Sequence, residues 1–137
     1  MYSVADAMIT RPRTLSPGCG LAAVMSSFAG DHFHMALIVT VGGRLVTTIE
    51  RADLDPAPSA QVVAEHVGTL AGRTISPADP LGPVTGMLLR EGRRRLAVVD
   101  ESGRLAGLLC LKADGSGYCS DRSAAGRHGA GGDRPAS

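Results

Sequence analysis

Three clusters in the sequence hold side chains that could do chemistry. The stretch "DHFH" places Asp31 beside His32 and His34, which would share one face of a strand and could bind a metal ion. Three consecutive arginines at 93–95 could bind a phosphate through their guanidinium groups. In "VVDESGRLAGLL", Asp100 stands before a turn, where it could be catalytic, bind a metal or only open the turn.

Each cluster also has a plain structural interpretation, which the rest of the chain favours. The other histidines, His66 and His128, fall in a linker helix and a terminal tail, so a metal ion would lack a third and fourth ligand. Charge runs usually face solvent, and an acid ahead of Ser-Gly most simply opens a turn. The sequence holds no Ser/His/Asp arrangement, paired carboxylates or phosphate-binding glycine loop. It therefore predicts neither a metal site nor an enzyme.

The composition predicts one cytoplasmic domain with an aliphatic core. The 137 residues include no tryptophan, two phenylalanines and two tyrosines. Residues 1–118 carry 11 Lys+Arg and 11 Asp+Glu, a balance that argues against general nucleic-acid binding. The three cysteines form no CxxC pair, and no apolar run suits a signal peptide or a membrane span, so no membrane partner is expected. Residues 119–137 lack Leu, Ile, Val and Phe and should form a disordered tail.

The chain contains an internal repeat at an offset of 60 residues. The segment "TLSPGCGLAAVMSSFAGDHFHMALIVTVGGRLVTTI" (14–49) aligns without gaps with "TISPADPLGPVTGMLLREGRRRLAVVDESGRLAGLL" (74–109), and nine of the 36 pairs are identical. In each copy, apolar residues at helical spacing precede two strand-like segments that a glycine turn joins. In the first copy the helical positions are Leu21, Val24, Met25 and Phe28.

The order of elements in one copy is therefore β-α-β-β-α. One such unit has too small a core to be stable alone, so two pseudo-symmetric units should pack face to face in an α/β, sandwich-like domain. We place the first repeat at 4–55, a linker at 56–62 and the second repeat at 63–118, all within a module spanning 1–118. A helix is predicted over 60–70, with Ser59 as its cap.

The repeated pattern resembles the CBS (cystathionine-β-synthase) domain, which occurs in tandem as a Bateman module. The resemblance lies in the "VADAM" lead-in (4–8), the "T-[LI]-S-P" start before each helix, the "LAVVDESGRLAGLL" hairpin and the "TTIERADL" ending (47–54). It implies a regulatory module, not a catalyst, that requires no cofactor and binds AMP, ADP, ATP or S-adenosylmethionine between its repeats. It also implies a homodimer. We expect the pair to stand alone and therefore to act on a separate, unknown regulated protein.

The resemblance also implies where a ligand would bind. In the family, a [Ser/Thr]-x-x-Asp motif after each hairpin holds the ribose through its acid and the phosphate through its hydroxyl. The first copy has Glu50 and Asp53 at these positions, and the second has Cys110 and Ala113, followed by Asp114. Together with positions that border the cleft in the family, the candidate ligand-binding residues are Thr14, His34, Glu50, Asp53, Thr74, Arg94, Cys110 and Asp114.

Two functions stay open, because neither copy carries the complete motif. The carboxylate of Glu50 would repel a phosphate unless the ligand is neutral or cationic or the side chain turns outward. Asp53 could hold a ribose or simply cap the short helix in which it lies. The chain is therefore expected to be either a sensor of an adenine nucleotide or a ligand-free pair that acts in dimerisation or protein interaction.

Overall fold

The computed structural model describes residues 2–28, 35–54, 63–64, 67–112 and 114–119. The predicted site residue His34, the linker 56–62 and the tail from residue 120 onward lie outside these ranges. The helices and strands of the described residues are, in chain order, α1 (Val4–Ala7), α2 (Leu21–Ser27), β1 (Met35–Val39), β2 (Leu45–Glu50), a 3-10 helix (Arg51–Leu54), β3 (Thr74–Ile75), α3 (Leu81–Glu91), β4 (Arg95–Val99) and β5 (Leu105–Cys110).

Each half of the chain holds the same small arrangement of strands. β1 and β2 form an antiparallel hairpin, and Leu15 adds a single parallel bridge to Ile38. In the second half β4 and β5 form the equivalent hairpin, and β3 runs parallel to β4 with Ile75 opposite Val98. The two parallel pairs differ by the 60-residue offset of the repeat, which confirms the predicted pair of similar α/β units.

The two hairpins meet at their turns, around an approximate two-fold axis. Arg44 and Arg104, which are equivalent in the two repeats, form an antiparallel bridge with each other. The Leu45 amide donates to the Gly103 carbonyl at 3.0 Å, and the symmetry-related hydrogen bond is 2.8 Å long. Gly103 has a φ of 87° and its equivalent has 92°, so both turns need the backbone freedom of glycine.

The segment that leads into each repeat packs on the opposite repeat. Four antiparallel bridges define this exchange: Ser3–Pro80, Ile9–Leu108, Val63–Gly20 and Thr69–Thr48. Moving Ser3 and Ile9 forward by 60 residues and Pro80 and Leu108 back by 60 residues produces the last two pairs. The exchange itself therefore follows the two-fold axis. Residues 2–9 therefore pack with the second repeat, and residues 63–64 and 67–69 pack with the first, although each segment precedes the other repeat in sequence.

The exchange shows that the helix predicted over 60–70 is wrong at its described end. Thr69 pairs with Thr48 as extended chain, and residues 67–70 are not helical. Gly68 lies so close to β2 that a Cβ atom there would overlap the Thr48 carbonyl group. Ala64 and Val67, which fall within the predicted helix, pack against the core of the first repeat.

Aliphatic side chains form three clusters that follow from this arrangement. β1 sends alternate side chains to opposite faces, so Leu37 enters a central cluster between the hairpins and Ile38 enters an outer one. The members of the central cluster are Ile9, Met35, Leu37, Leu45, Ala97, Leu108, Cys110 and Cys119. The outer clusters cover α2 in one half and α3 in the other.

Two residues depart from the predicted pattern of burial. Met25, predicted on the apolar face of α2, is 43% exposed, because Leu21, Val24 and Phe28 alone meet the core. Cys119, which the sequence places at the start of the tail, is buried in the central cluster. Across the described ranges, every helix is too short or too polar to cross a membrane.

Candidate functional site

The acid of the first motif, Asp53, is bound by an arginine that the sequence did not assign to a site. Arg73 Nη1 and Nη2 donate to Asp53 Oδ2 and Oδ1 at 2.6 and 2.9 Å, which makes a bidentate ion pair. The Glu50 amide also donates to Asp53 Oδ2, at 2.8 Å. Since a carboxylate has about four lone-pair sites, this one keeps little capacity for the two hydroxyls of a ribose.

Arg73 is held in place by its backbone as well as by its side chain. The Ala97 amide of β4 donates to the Arg73 carbonyl at 2.8 Å, directly before β3 begins. The Arg73 side chain is only 10% exposed, and Nη1 also donates to the Thr48 carbonyl at 3.3 Å. The Arg73 guanidinium group therefore lies buried against β2, the last strand of the first repeat.

Glu50 extends the ion pair into a chain of alternating charges. Its Oε1 lies 3.4 Å from Arg73 Nη2, and its Oε2 accepts a hydrogen bond from Arg93 Nη1 at 2.8 Å. The order of charges is Asp53, Arg73, Glu50, Arg93. Because two guanidinium groups flank the Glu50 carboxylate, its repulsion of a nearby phosphate is partly neutralised.

The ion pair shifts the pKa of both partners. The hydrogen bonds from Arg73 lower the pKa of Asp53 below its ordinary 3.8, although burial alone would raise it. The same hydrogen bonds to Asp53 raise the pKa of Arg73, against the effect of burial. Both groups are charged at neutral pH, which suits a structural ion pair and not a group that exchanges protons.

An open pocket lies beside this network and takes residues from both repeats. Its volume is about 320 Å³, and its walls are Glu50, Arg51, Ala52, Glu91, Gly92, Arg93, Arg94 and Arg95. Four arginines and two glutamates leave the walls with a surplus of positive charge. Such a pocket attracts an anion such as a phosphate group.

The other pocket arginines are held by different contacts. Arg51 donates to the Phe28 carbonyl, and its guanidinium carbon lies 5.3 Å from the centre of the Phe28 ring. Arg94 Nε donates to the Leu111 carbonyl at 3.2 Å. Arg95 Nε is buried without a hydrogen-bond partner among the described residues, and burial lowers the pKa of Arg95. The contacts of Arg51 and Arg94 hold the guanidinium groups of these two residues at the edge of the pocket.

The described motif positions of the second repeat serve other purposes. Cys110 is 1% exposed, and its thiol donates to Cys119 Sγ at 3.2 Å inside the core. Asp114 is exposed and accepts hydrogen bonds from the Ser116 amide and hydroxyl at 2.9 and 2.7 Å. The hydrogen bond from the Ser116 hydroxyl lowers the pKa of Asp114. Ala113 lies outside the described residues.

The remaining candidates are spread over the surface and the sheet. Thr14 is exposed, whereas Thr74 is half-buried in β3 opposite Ala97. Neither threonine lines the pocket, nor do Cys110 and Asp114. Of the eight candidate residues, the structure brings Glu50 and Arg94 to the pocket and places Asp53 behind Glu50, while His34 is not described.

Arg73 is the residue of this network that sequence reasoning missed, although the repeat carries a signal for it. An arginine precedes the "T-[LI]-S-P" start in both copies, as Arg13 and as Arg73. The acid of the motif is Asp53 in the first repeat, whereas the equivalent position in the second repeat is Ala113. The arginine before the "T-[LI]-S-P" start of the second repeat could therefore have suggested a partner for Asp53.

The two remaining clusters from the sequence have separate outcomes. Asp100 accepts hydrogen bonds from the Ser102 hydroxyl and amide at 2.7 and 2.9 Å and from the Arg104 amide at 3.0 Å, which confirms that it opens the turn. The "DHFH" cluster lies outside the described residues. Within the described part of the chain, no three His, Cys, Asp or Glu residues come together as a metal site would require.

Comparison with solved structures shows which fold these features belong to. CBSX2 in complex with AMP matches with a TM-score of 0.68 at 20% identity, over 80% of this chain and 90% of that chain. A CBS domain pair in complex with methylthioadenosine and S-adenosyl-L-methionine matches with 0.66 at 20% identity, over 80% and 90%. A CBS domain protein from Pyrobaculum aerophilum complexed with AMP matches with 0.65 at 18% identity, over 80% and 87%.

No protein-family model matches the chain, and no curated protein matches it in sequence. The structural matches nevertheless agree with the features described above. These are two β-α-β-β units, an axis through Arg44 and Arg104, and lead-in segments exchanged between the units. The chain therefore has the fold of a tandem CBS domain pair, the Bateman module that its repeat predicts.

Proposed function

We propose that this chain is a regulatory module that binds an adenine nucleotide and passes the bound state to a separate protein. The carrying observation is the convergence of four arginines from both repeats on one open pocket of about 320 Å³. The AMP and S-adenosyl-L-methionine in the names of similar solved structures support an adenine-containing ligand here. In this proposal the chain acts by binding and not by catalysis.

The charge of the pocket favours some adenine ligands over others. AMP, ADP and ATP bring phosphates that Arg93 and Arg94 can neutralise, whereas S-adenosylmethionine brings a sulfonium cation that they repel. Because Asp53 is occupied by Arg73, the phosphate contacts should supply more of the affinity than the ribose contacts do. We therefore rank the three phosphorylated nucleotides above S-adenosylmethionine.

A thermal-shift titration tests the proposal. AMP, ADP or ATP should raise the Tm, because a tenfold excess over Kd of a ligand that binds only the folded state adds about 1.4 kcal/mol of stability. S-adenosylmethionine should raise it less. Arg94→Gln should remove most of the rise, and Arg11→Gln should keep it, since Arg11 is exposed and does not line the pocket. No rise with any nucleotide, or an equal rise in Arg94→Gln, would refute the proposal.

A ligand-free interaction module is the second candidate, and two observations favour it. Arg73 occupies the acid that would hold the ribose. Met25 on α2 and Leu89 on α3 are 43% and 57% exposed, as residues at a protein contact would be in a free monomer. In either case we propose a homodimer. Sedimentation velocity should show a dimer, and a dimer that ignores nucleotides would favour this second candidate, whereas a monomer at high concentration would contradict the homodimer.

A further inference from the structure

Two cysteines lie directly opposite each other at the end of the described chain. After β5 the chain turns back, and Leu111 forms an antiparallel bridge with Tyr118. One step further along the pair, the Cys119 amide donates to the Cys110 carbonyl at 2.8 Å. The two sulfur atoms are 3.2 Å apart. This is a cross-strand pair whose side chains point to the same face.

The backbone geometry of such a pair suits a disulfide bond. Opposed residues that share a ladder hydrogen bond have Cα atoms about 5.5 Å apart. Cα atoms joined by a disulfide are about 4.4–6.8 Å apart, so the Cα spacing expected for this pair lies within the range of a disulfide. Rotation of the two side chains would bring the sulfurs of Cys110 and Cys119 from contact to bonding distance.

The surroundings protect these thiols while the chain is closed. Cys110 and Cys119 are 1% and 4% exposed, and burial raises the pKa of Cys110 to about 11, although the nearby Arg95 guanidinium partly opposes this. Exposure therefore requires the segment 112–119 to open. The described residues of that segment are held by the strand pairing, by a 2.7 Å hydrogen bond between the hydroxyls of Tyr118 and Thr85, and by the packing of Tyr118 and Cys119 against the core clusters. Opening of so short a segment is a local event and does not need global unfolding.

We propose that Cys110 and Cys119 form a reversible disulfide by exchange with a small-molecule disulfide such as oxidised glutathione. The thiolate of Cys119 attacks one sulfur of the oxidant and releases one glutathione thiolate. The thiolate of Cys110 then attacks the Cys119 sulfur of this mixed disulfide and releases the second. Two protein thiols are oxidised to the disulfide, and the two protons that they lose are taken up, through solvent, by the two glutathione thiolates, so the oxidant is reduced to two thiols.

The Cys110–Cys119 disulfide would restrain the end of β5, which contacts Arg94 in the pocket wall. The Leu111 amide donates to the Arg94 carbonyl at 2.7 Å, and Arg94 Nε donates back to the Leu111 carbonyl at 3.2 Å. Linking Cys110 to Cys119 ties down the chain on both sides of Leu111 and so fixes Arg94. In the cytoplasm, the setting that we propose, such a bond would be transient and would act as a redox signal. The inference does not depend on nucleotide binding.

Oxidation of the full chain tests this inference. Incubation with oxidised glutathione in dilute urea, followed by alkylation and peptide mass mapping, should show Cys110 linked to Cys119 while Cys19 is alkylated. The linked protein should melt several degrees higher than the reduced one and return to the lower Tm with dithiothreitol, because the bond closes a loop in the unfolded chain. Cys19→Ser should behave like the wild type.

The variants Cys119→Ser and Cys119→Ala should fold but lose the oxidative shift in Tm. Two are used so that a folding defect in one does not decide the result, and far-UV circular dichroism checks both. The inference fails if mapping finds only glutathione adducts or links through Cys19. It also fails if the Cys110–Cys119 bond forms and leaves the Tm unchanged.

Discussion

Replacing Arg73 by methionine should lower the free energy of unfolding at neutral pH by about 3 kcal/mol, the range for breaking a buried ion pair. The variant removes both guanidinium hydrogen bonds to Asp53 and the contact with Glu50. The Asp53 side chain is only 18% exposed, so its charge would stay poorly solvated and without its partner. Urea unfolding followed by far-UV circular dichroism measures the loss, since the chain has no tryptophan.

The loss should depend on pH in a direction that the Asp53 pKa sets. Arg73 lowers the pKa of folded Asp53 below the ordinary 3.8. The stabilisation is therefore complete above the unfolded pKa of about 3.9 and disappears as pH falls through the lower folded value. The difference in free energy of unfolding between wild type and Arg73→Met should be constant near neutral pH. It should shrink as the pH falls below the unfolded Asp53 pKa of about 3.9. A difference that grows in acid would contradict the ion-pair explanation.

Two further variants separate the ion pair from a general effect of losing an arginine. Arg11 is an exposed arginine that takes no part in the chain of charges from Asp53 to Arg93. Arg11→Met should change the stability by no more than about 0.5 kcal/mol. The double variant Arg73→Met/Asp53→Asn should be more stable than Arg73→Met, because it removes the uncompensated charge. Equal losses in Arg11→Met and Arg73→Met would overturn the assignment.

The local part of this fold could be predicted from the sequence because its signals are local. The spacing of Leu21, Val24 and Phe28 predicts α2, and the same spacing in the second copy predicts α3. The glycine turn at Gly103 predicts the hairpin of β4 and β5. The two-fold arrangement follows from the repeat, since two similar apolar surfaces can cover each other.

The partners of these elements could not be predicted in the same way, because they are distant in sequence. Arg73 reaches back 20 residues to Asp53, and Arg93 reaches back 43 residues to Glu50. The spacing of these residue pairs does not show that the segment before the second repeat packs on the first repeat. From the motif alone, the Asp53 carboxylate could hold a ribose or cap a helix, and neither alternative indicates the arginine directly before β3 that binds it.

The exchange also explains one difference between the two repeats. Gly107 lies in β5, where a Cβ atom would lie 2.5 Å from the Ile9 carbonyl oxygen of the exchanged segment. The first repeat has Thr47 at this position and cannot offer the same space. In the first repeat the glycine belongs to the lead-in segment and not to the strand: Gly68 lies against the backbone of Thr48 in β2. Each half thus has one glycine where the lead-in crosses the last strand.

Gly68→Ala should therefore destabilise the protein by about 3 kcal/mol, as overpacking against backbone does. The added Cβ would overlap the Thr48 carbonyl oxygen and would lie 2.8 Å from Ile49 Cγ1. Moving the segment away would break the 3.0 Å hydrogen bond from the Thr69 amide to the Thr48 carbonyl and the 2.6 Å bond from the Thr48 hydroxyl to the Thr69 carbonyl. Thr48 is fully buried, so its hydroxyl would lose its partner without reaching water.

A matched substitution distinguishes this crowding from the general effect of replacing glycine. Gly86 lies in the middle of α3, and the nearest atom to a Cβ there would be Arg90 Nη1 at 3.3 Å, the end of a flexible side chain. Gly86→Ala should stabilise the protein by about 0.5 kcal/mol, because alanine has less freedom to lose when the helix forms. Gly107→Ala should destabilise it like Gly68→Ala, since both glycines mark a crossing of the exchanged segments. If Gly68→Ala is neutral in urea unfolding, residues 67–69 do not run against β2, and the symmetric exchange of lead-ins is wrong.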